Sequence, residues 1–299
     1  MRPMQVVIAG ASGFLGSHLS TRLTEDGHDV TRLVRRRPES AQESEWQPDR
    51  GQVDADLIGK ADAVVTLAGS PTAGNPHSTR WARELRESRV HSTEVLARAI
   101  AEGGGGAAFL VGNGISYYGD HGEDVVTEET GSRGGSLLTS VTRDWQAAAE
   151  PAVAAGSRVC VLRTAPVMDR RHPPMQMLKP LFQVGLGARL GSGRQHMAMI
   201  SLRDWVGATA LLVADDGASG PFNLCCPQTP TNAEFTRTLA AALGRKPLLF
   251  APAAVMRRAA GAMAPELLGS INARPDALLA RGYEFSDPDV CAVVAAGLG

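Results

Sequence analysis

Seven consecutive residues near the start of the chain, Gly10-Ala11-Ser12-Gly13-Phe14-Leu15-Gly16, have the types and spacing that cradle a pyrophosphate. They follow an apolar run, Gln5–Ala9, and open a segment, Phe14–Asp26, in which Phe14, Leu15, Leu19 and Leu23 recur at helical spacing. Glycines at this spacing also arise by chance. The strand before them and the helix after them are what give the motif weight. Gly10 permits a tight turn, Gly13 lets backbone approach a phosphate, and Gly16 lets the helix pack close to the strand. The helix then offers free N–H groups and its positive dipole end to the anion. All seven residues are therefore expected to contact a dinucleotide.

A second strand, Asp29–Val34, ends at Arg35-Arg36-Arg37. A protein that takes NAD(H) usually carries an acid here, roughly 20 residues past the last glycine, for the ribose 2′-hydroxyl. An acid would repel a 2′-phosphate, whereas a guanidinium pairs with it through two parallel hydrogen bonds. The expected cofactor is NADP(H), held at its 2′-phosphate by Arg35 first and Arg36 second. A solvated basic loop is the alternative.

Polar side chains gather again after the run Ala108–Val111, where Asn113, Ser116, Tyr117 and Tyr118 follow in close order. That loop should lie at the carboxyl edge of a sheet, where open α/β folds bind ligands. A tyrosine there can donate a proton, and Asn113 and Ser116 can polarise a carbonyl. Tyr117, Asn113 and Ser116 are the candidate catalytic residues, with packing by Tyr118 and turn-capping by Ser116 as the structural alternatives. Gln195, after the glycine-rich Gly185–Gly193, is the candidate substrate contact, with plain exposure as its alternative. His121, in the acidic stretch Asp120–Asp124, has no second histidine at ligand spacing. It reads as part of a solvated loop, and no metal site is expected.

Bringing these groups to one edge requires a sheet. Short β-type runs alternate with longer helical patterns, which reads as parallel strands flanked by helices. Gln5–Ala9, Asp29–Val34, Asp62–Leu67, Ala108–Val111 and Val159–Leu162 read as strands, and Phe14–Asp26, Arg80–Glu102 and Leu137–Ala149 as helices. Trp81, Trp145 and Trp205 fall on helical patterns as core anchors. Beyond residue 165 the alternation fades, and Met168–Gln176 and Gly185–Gly193 read as loops. Two βα-like segments remain, Met197–Ile200 into Asp204–Ala214 and Phe222–Leu224 into Asn232–Leu243. The expected architecture is a Rossmann-type, doubly wound α/β fold. Residues 1–165 form the NADP(H)-binding domain, with parts of 197–225 folding back onto it, and residues 166–299 form a small substrate-facing lobe.

Bulk properties narrow the partners. A hydrophobic content of 43% is enough for a sizeable core. The formal net charge of −1 argues against nucleic acid or an anionic membrane as partner. No run reaches the ~20 apolar residues of a membrane helix. Cys160, Cys225, Cys226 and Cys291 lack disulfide or metal spacing, so the expected compartment is the cytoplasm. A small-molecule substrate is expected, and a homodimer is left open.

Taken in order, the motifs resemble an extended short-chain dehydrogenase/reductase of the atypical "epimerase family protein" branch. The resemblance is carried by the glycine-rich turn, Leu67-Ala68-Gly69, Arg80-Trp81, Glu87-Ser88-Arg89, Tyr117-Tyr118-Gly119 and Asp144-Trp145-Gln146. It continues through Gly185-Leu186-Gly187, Gly191, Gly193, Gln195, Gly220-Pro221-Phe222-Asn223 and Pro227 to Phe235, and reaches the final lobe from Arg245 to about Phe285. It implies a Rossmann fold with a small carboxyl-terminal domain and NADP(H). It also implies cofactor contacts from Leu67, Ala68 and Gly69, and from Arg163, Pro166 and Val167 beside the nicotinamide.

The departures bear on chemistry. Ordinary members carry Tyr-x-x-x-Lys, but the only tyrosines here are Tyr117, Tyr118 and Tyr283, none with a lysine four residues on. Leu137 and Val141 stand where that pair would be. Asn113 stands in place of the usual serine, and Ser201 in place of a histidine that precedes Asp204. The expectation is an NADP(H)-dependent oxidoreductase with atypical catalytic residues, acting on a small organic substrate. A non-catalytic NADP(H) sensor is the second reading, and a sugar-nucleotide epimerase, which needs the missing pair, the third.

Overall fold

The computed structural model describes residues 2–72 and 74–299; Met1, at the start of the expected first domain, and Ala73 lie outside the described residues. Seven of the strands among them form one sheet: β1 (Gln5–Ala9), β2 (Asp29–Val34), β3 (Glu43–Glu45), β4 (Ala63–Thr66), β5 (Ala108–Gly114), β6 (Val159–Thr164) and β7 (Gly220–Leu224). Their spatial order is β7-β6-β5-β4-β1-β2-β3, and every neighbouring pair is parallel. The sheet therefore runs outward from β1 in both directions, and the crevice between β1 and β4 is the switch point where such folds bind ligands.

Buried parallel strands need apolar side chains on both faces, and the sequence supplies them in alternation. Val6 and Ile8 of β1 join Val65, Leu110 and Leu162 on one face, under α1 (Phe14–Glu25) and the helix Leu202–Ala214, which contributes Trp205 and Leu212. Val7 and Ala9 join Val64, Phe109 and Val111 on the other, under α2 (Thr79–Glu102) through Leu96 and Ile100. The helix α3 (Leu137–Ala147) starts at the edge where β5 ends, its first turn capped by Ser136, which accepts from Thr139 N–H. Trp145 on α3 is pinned by its indole N–H to Thr93 of α2.

Beyond β6 the chain builds a smaller lobe around Met168, Met175, Phe182, Met199, Phe235, Leu239 and Val293. Its strands form short parallel pairs, Val167–Met168 with Ile200–Ser201 and Ala188–Leu190 with Leu249–Ala251, while Asn272–Ala273 pairs back with Val125–Val126 from the chain before β6. Asp204 is a buried tie: its carboxylate accepts the N–H groups of Ser286 and Asp287 and the hydroxyls of Ser201 and Tyr283.

Several readings need correction. Glu43–Glu45, an edge strand of charged residues, was not expected, because charge at an edge hides strand character while protecting it from mispairing. Met175–Gln183 is a helix, although Met168–Gln176 reads as loop; Pro173, Pro174 and Pro180 mask it. His121 is buried, not solvated: its backbone N–H reaches Ser270 O, and its ring bonds Tyr118 O at 3.1 Å. Among the described residues no helix is long and apolar enough to cross a membrane.

Candidate functional site

The glycine-rich turn sits at the end of β1 with each glycine in a different situation. Gly10 has φ +84°, and a Cβ there would lie 2.7 Å from the Leu67 carbonyl carbon on the neighbouring crossover. Gly16 is tighter still, 2.2 Å from Gly10 O. A Cβ on Gly13 would meet only Gly10 O, at 3.2 Å. Two glycines are thus fixed by packing, whereas the third keeps the space in front of α1 clear. No side chain caps the first turn of α1, and no acid lies in it. The free N–H groups of that turn remain available to an anion.

The segments beside the turn add positive charge. Arg35, exposed just past β2, forms no ion pair or hydrogen bond among the described residues. Arg36 is committed within the chain: both its terminal nitrogens reach the Glu43 carboxylate at 2.9 Å, and that pairing holds Glu43 below the usual carboxylate range. Arg89 of α2 packs on Gly69 and Trp145 and bonds only its own helix, at Leu85 O. Burial pulls its pKa down to about 10, so it remains a cation at neutral pH without a carboxylate partner. On the other side, His172 stacks on Phe14 at 4.6 Å and carries the basic segment Arg170–His172 over the start of α1. Leu67, Ala68 and Gly69 follow β4, and the Leu67 N–H extends its pairing to Ala9 O.

The carboxyl ends of β5 and β6 hold the candidate catalytic residues. Asn113 is buried; its amide donates to Thr142 O at 3.0 Å and accepts from Gly114 N–H at 2.7 Å, which ties β5 to α3. Tyr118 is fully buried, donates to Asn223 Oδ1 at 2.7 Å, and is pushed up to about 12, mainly by that burial. Arg163 is buried as well: it donates to the Tyr118 hydroxyl, Glu128 O and Gln146 Oε1, and its guanidinium lies 3.7 Å over the Tyr117 ring. Tyr117 is half-buried and its hydroxyl has no partner among the described residues. Pro166 is exposed beyond β6, and Val167 is in the core. Gln195 is buried, its side chain donating to Leu190 O and, at 3.4 Å, to Leu267 O. The expected loop after Val111 is in fact strand and turn: β5 carries Asn113, and the single 3-10 turn Ile115–Tyr117 that follows carries Ser116 and Tyr117, while Gln195 is set apart as a brace within the lobe.

Ser116 has a partner that no motif or spacing predicts. Its hydroxyl donates to Glu266, from the short helix Ala264–Leu268, and the other Glu266 oxygen accepts from Ser136 at 3.3 Å. Burial raises the Glu266 pKa, while the two hydroxyls lower it. In sequence Glu266 is an ordinary first-turn acid after a proline, and only the fold reveals its neighbours. Arg89 stands in a motif that carries the resemblance, but nothing local assigns it a role. Among the described residues no cluster of metal-ligating side chains occurs.

A switch-point crevice with an uncapped helix and a cleared glycine in front of it defines a dinucleotide-binding α/β protein. The chain belongs to the NAD dependent epimerase/dehydratase family, which matches residues 6–225; a domain of unknown function, DUF1731, matches residues 251–296. It is 41% identical over 281 residues to the epimerase family protein Mb2239 of Mycobacterium bovis, covering 94% of this chain and 93% of that one. It is similar to the crystal structure of human epimerase family protein SDR39U1 with NADPH: TM-score 0.86 and 28% identity, over 98% of this chain and 99% of that chain. A nucleoside-diphosphate sugar epimerase from Corynebacterium glutamicum is 31% identical with a TM-score of 0.81, over all of this chain and 59% of that longer one.

Proposed function

We propose that the protein is an NADP(H)-dependent oxidoreductase acting on a small organic substrate without a Tyr–Lys pair. Arg35 carries the cofactor half of this reading: a guanidinium without a partner among the described residues stands where an acid would favour NAD(H). The cradle fits a pyrophosphate, since Gly13 clears the front of α1 and Arg89 adds an uncompensated charge beside Gly69. The human relative solved with NADPH supports the same choice. When bound, the cofactor supplies hydride from nicotinamide C4. The chain's own part is to orient the substrate and to polarise it from the segment Asn113–Tyr118. Enone or imine reduction fits a site with so few free polar groups. Its four free cysteines suit work in the cytoplasm.

The test is calorimetric titration of NADPH and NADH, followed by NADPH oxidation against a panel of carbonyls, enones and imines. Equal affinity for the two nucleotides would remove the cofactor assignment. A second reading, a non-catalytic NADP(H) sensor, draws support from the bonding of Asn113, Tyr118 and Arg163 within the chain. Tight NADPH binding with no oxidation across the whole panel would place it first. Sugar-nucleotide epimerisation, suggested by the C. glutamicum relative, lacks the Tyr–Lys pair it would use.

A further inference from the structure

The Glu266 carboxyl lies between two elements of the Rossmann half, yet it is delivered by the lobe of unknown function. Ser136, which it touches, directly precedes Leu137, the place of the absent tyrosine. Ser116, its other partner, lies in the turn Ile115–Tyr117 that follows Asn113 at the end of β5. Charged groups on the surrounding elements leave it alone. Asp120 takes the Ser270 N–H, Arg257 and Arg258 on the preceding helix Ala253–Ala260 are exposed, and His77 lies against Ala259. Arg133, in the loop before α3, bonds Tyr118 O through its backbone. Among the described residues no cation pairs with Glu266. Burial without a cation favours the proton on this carboxyl and outweighs the two hydroxyl donors that oppose it, the condition of a general acid.

We propose that Glu266 is the proton-holding group of this corner and passes its proton to substrate through the Ser116 hydroxyl, in place of the Tyr–Lys couple. The proposal rests on the NADP(H) reading above. A hydroxyl has one proton and two acceptor lone pairs, so the Ser116–Glu266 bond can run in either direction. With Glu266 protonated, its O–H donates to Ser116 Oγ and frees the serine proton to face the substrate. As hydride from the reduced dinucleotide forms the new C–H bond, the π pair of the reduced double bond moves to its far atom. That atom takes the Ser116 proton, Ser116 takes the Glu266 proton, and a carboxylate remains. Solvent reprotonates it, and the nicotinamide leaves oxidised.

The test uses the whole protein with NADPH and NADP+ as probes, because the oxidised ring carries one more positive charge. Both nucleotides are titrated into the unmodified protein and Glu266→Gln over a range of pH, in two buffers of different ionisation heat. NADP+ should release protons from the unmodified protein as its ring charge stabilises the Glu266 carboxylate, and NADPH should not. Glu266→Gln should abolish that release and weaken NADP+ relative to NADPH by at least about threefold. Equal proton counts in the two proteins overturn the proposal alone. Failure of either nucleotide to bind the unmodified protein overturns the cofactor reading, and the proposal with it.

Thermal unfolding supplies an independent arm. Because burial lifts the Glu266 pKa above its unfolded value, its contribution to stability is full at pH below the ordinary carboxylate range. It is lost as pH rises through the folded value. Glu266→Gln should therefore melt higher than the unmodified protein at alkaline pH, with the gap closing in acid. A variant that melts lower at every pH assigns Glu266 a structural role and overturns the proposal.

Discussion

At the rim formed by β1 and β2, the first turn of α1 has no side-chain cap and Arg35 no partner among the described residues. At the rim formed by β5 and β6, Asn113 is bonded to backbone, and Tyr118 and Arg163 are bonded to each other and to Asn223, Gln146 and Glu128 O, with only Arg163 Nε of these groups unpaired among the described residues. The first rim is built to be completed by something outside the chain, and the second is largely complete already. Unsatisfied donors in a crevice cost free energy until a ligand arrives, whereas satisfied ones rigidify the wall. The two rims are thus encoded differently: the first in a local backbone motif, the second in contacts between distant segments.

The sharpest way to break this contrast is within the glycine turn. Gly16→Val should cost several kcal/mol, because its Cβ would overlap Gly10 O, and circular dichroism should show a collapsed melting temperature. Gly13→Val should fold, since only one atom crowds that position, but should show no NADPH binding by calorimetry. A folded Gly13→Val that binds normally would put the pyrophosphate elsewhere.

Next in size, the unmodified protein should prefer NADPH over NADH at least about tenfold, as one charge-assisted contact is worth about 1.5–3 kcal/mol. Arg35→Ala should erase that preference and leave NADH affinity unchanged. Arg36→Ala should do less, because Glu43 already holds its guanidinium.

On the closed rim, Tyr118→Phe should lower stability by about 1–3 kcal/mol in a denaturant titration, since it strands Asn223 and Arg163. NADPH affinity should stay within about twofold. The smallest effect belongs to its neighbour: Tyr117→Phe removes a hydroxyl without a partner and should shift stability by less than about 0.5 kcal/mol. Any change in NADPH oxidation by that variant then belongs to chemistry rather than to folding.

The same division governs what can be read without a structure. The turn at Gly10–Gly16, the strands Gln5–Ala9 and Asp29–Val34 and the arginines behind them are legible because each depends on residues adjacent in sequence. The burial of His121, the bracing by Gln195 and the bonding of Arg163 depend on partners brought in by the fold. Glu266 is the extreme case, meeting Ser116 across 150 residues with no periodic or spacing signal.

That separation also has a temporal meaning. Synthesis runs from the amino end, and domains fold as units, the amino-terminal one first. The turn, Arg35 and Arg89 emerge long before Ala264–Leu268. The sheet that holds them is covered only once the helix Leu202–Ala214 and β7 have followed, and a nucleotide bound to that folded unit would stabilise it. The corner that Ser116 and Ser136 share with Glu266 closes only after the final lobe docks, so it is the last part of the molecule to be completed.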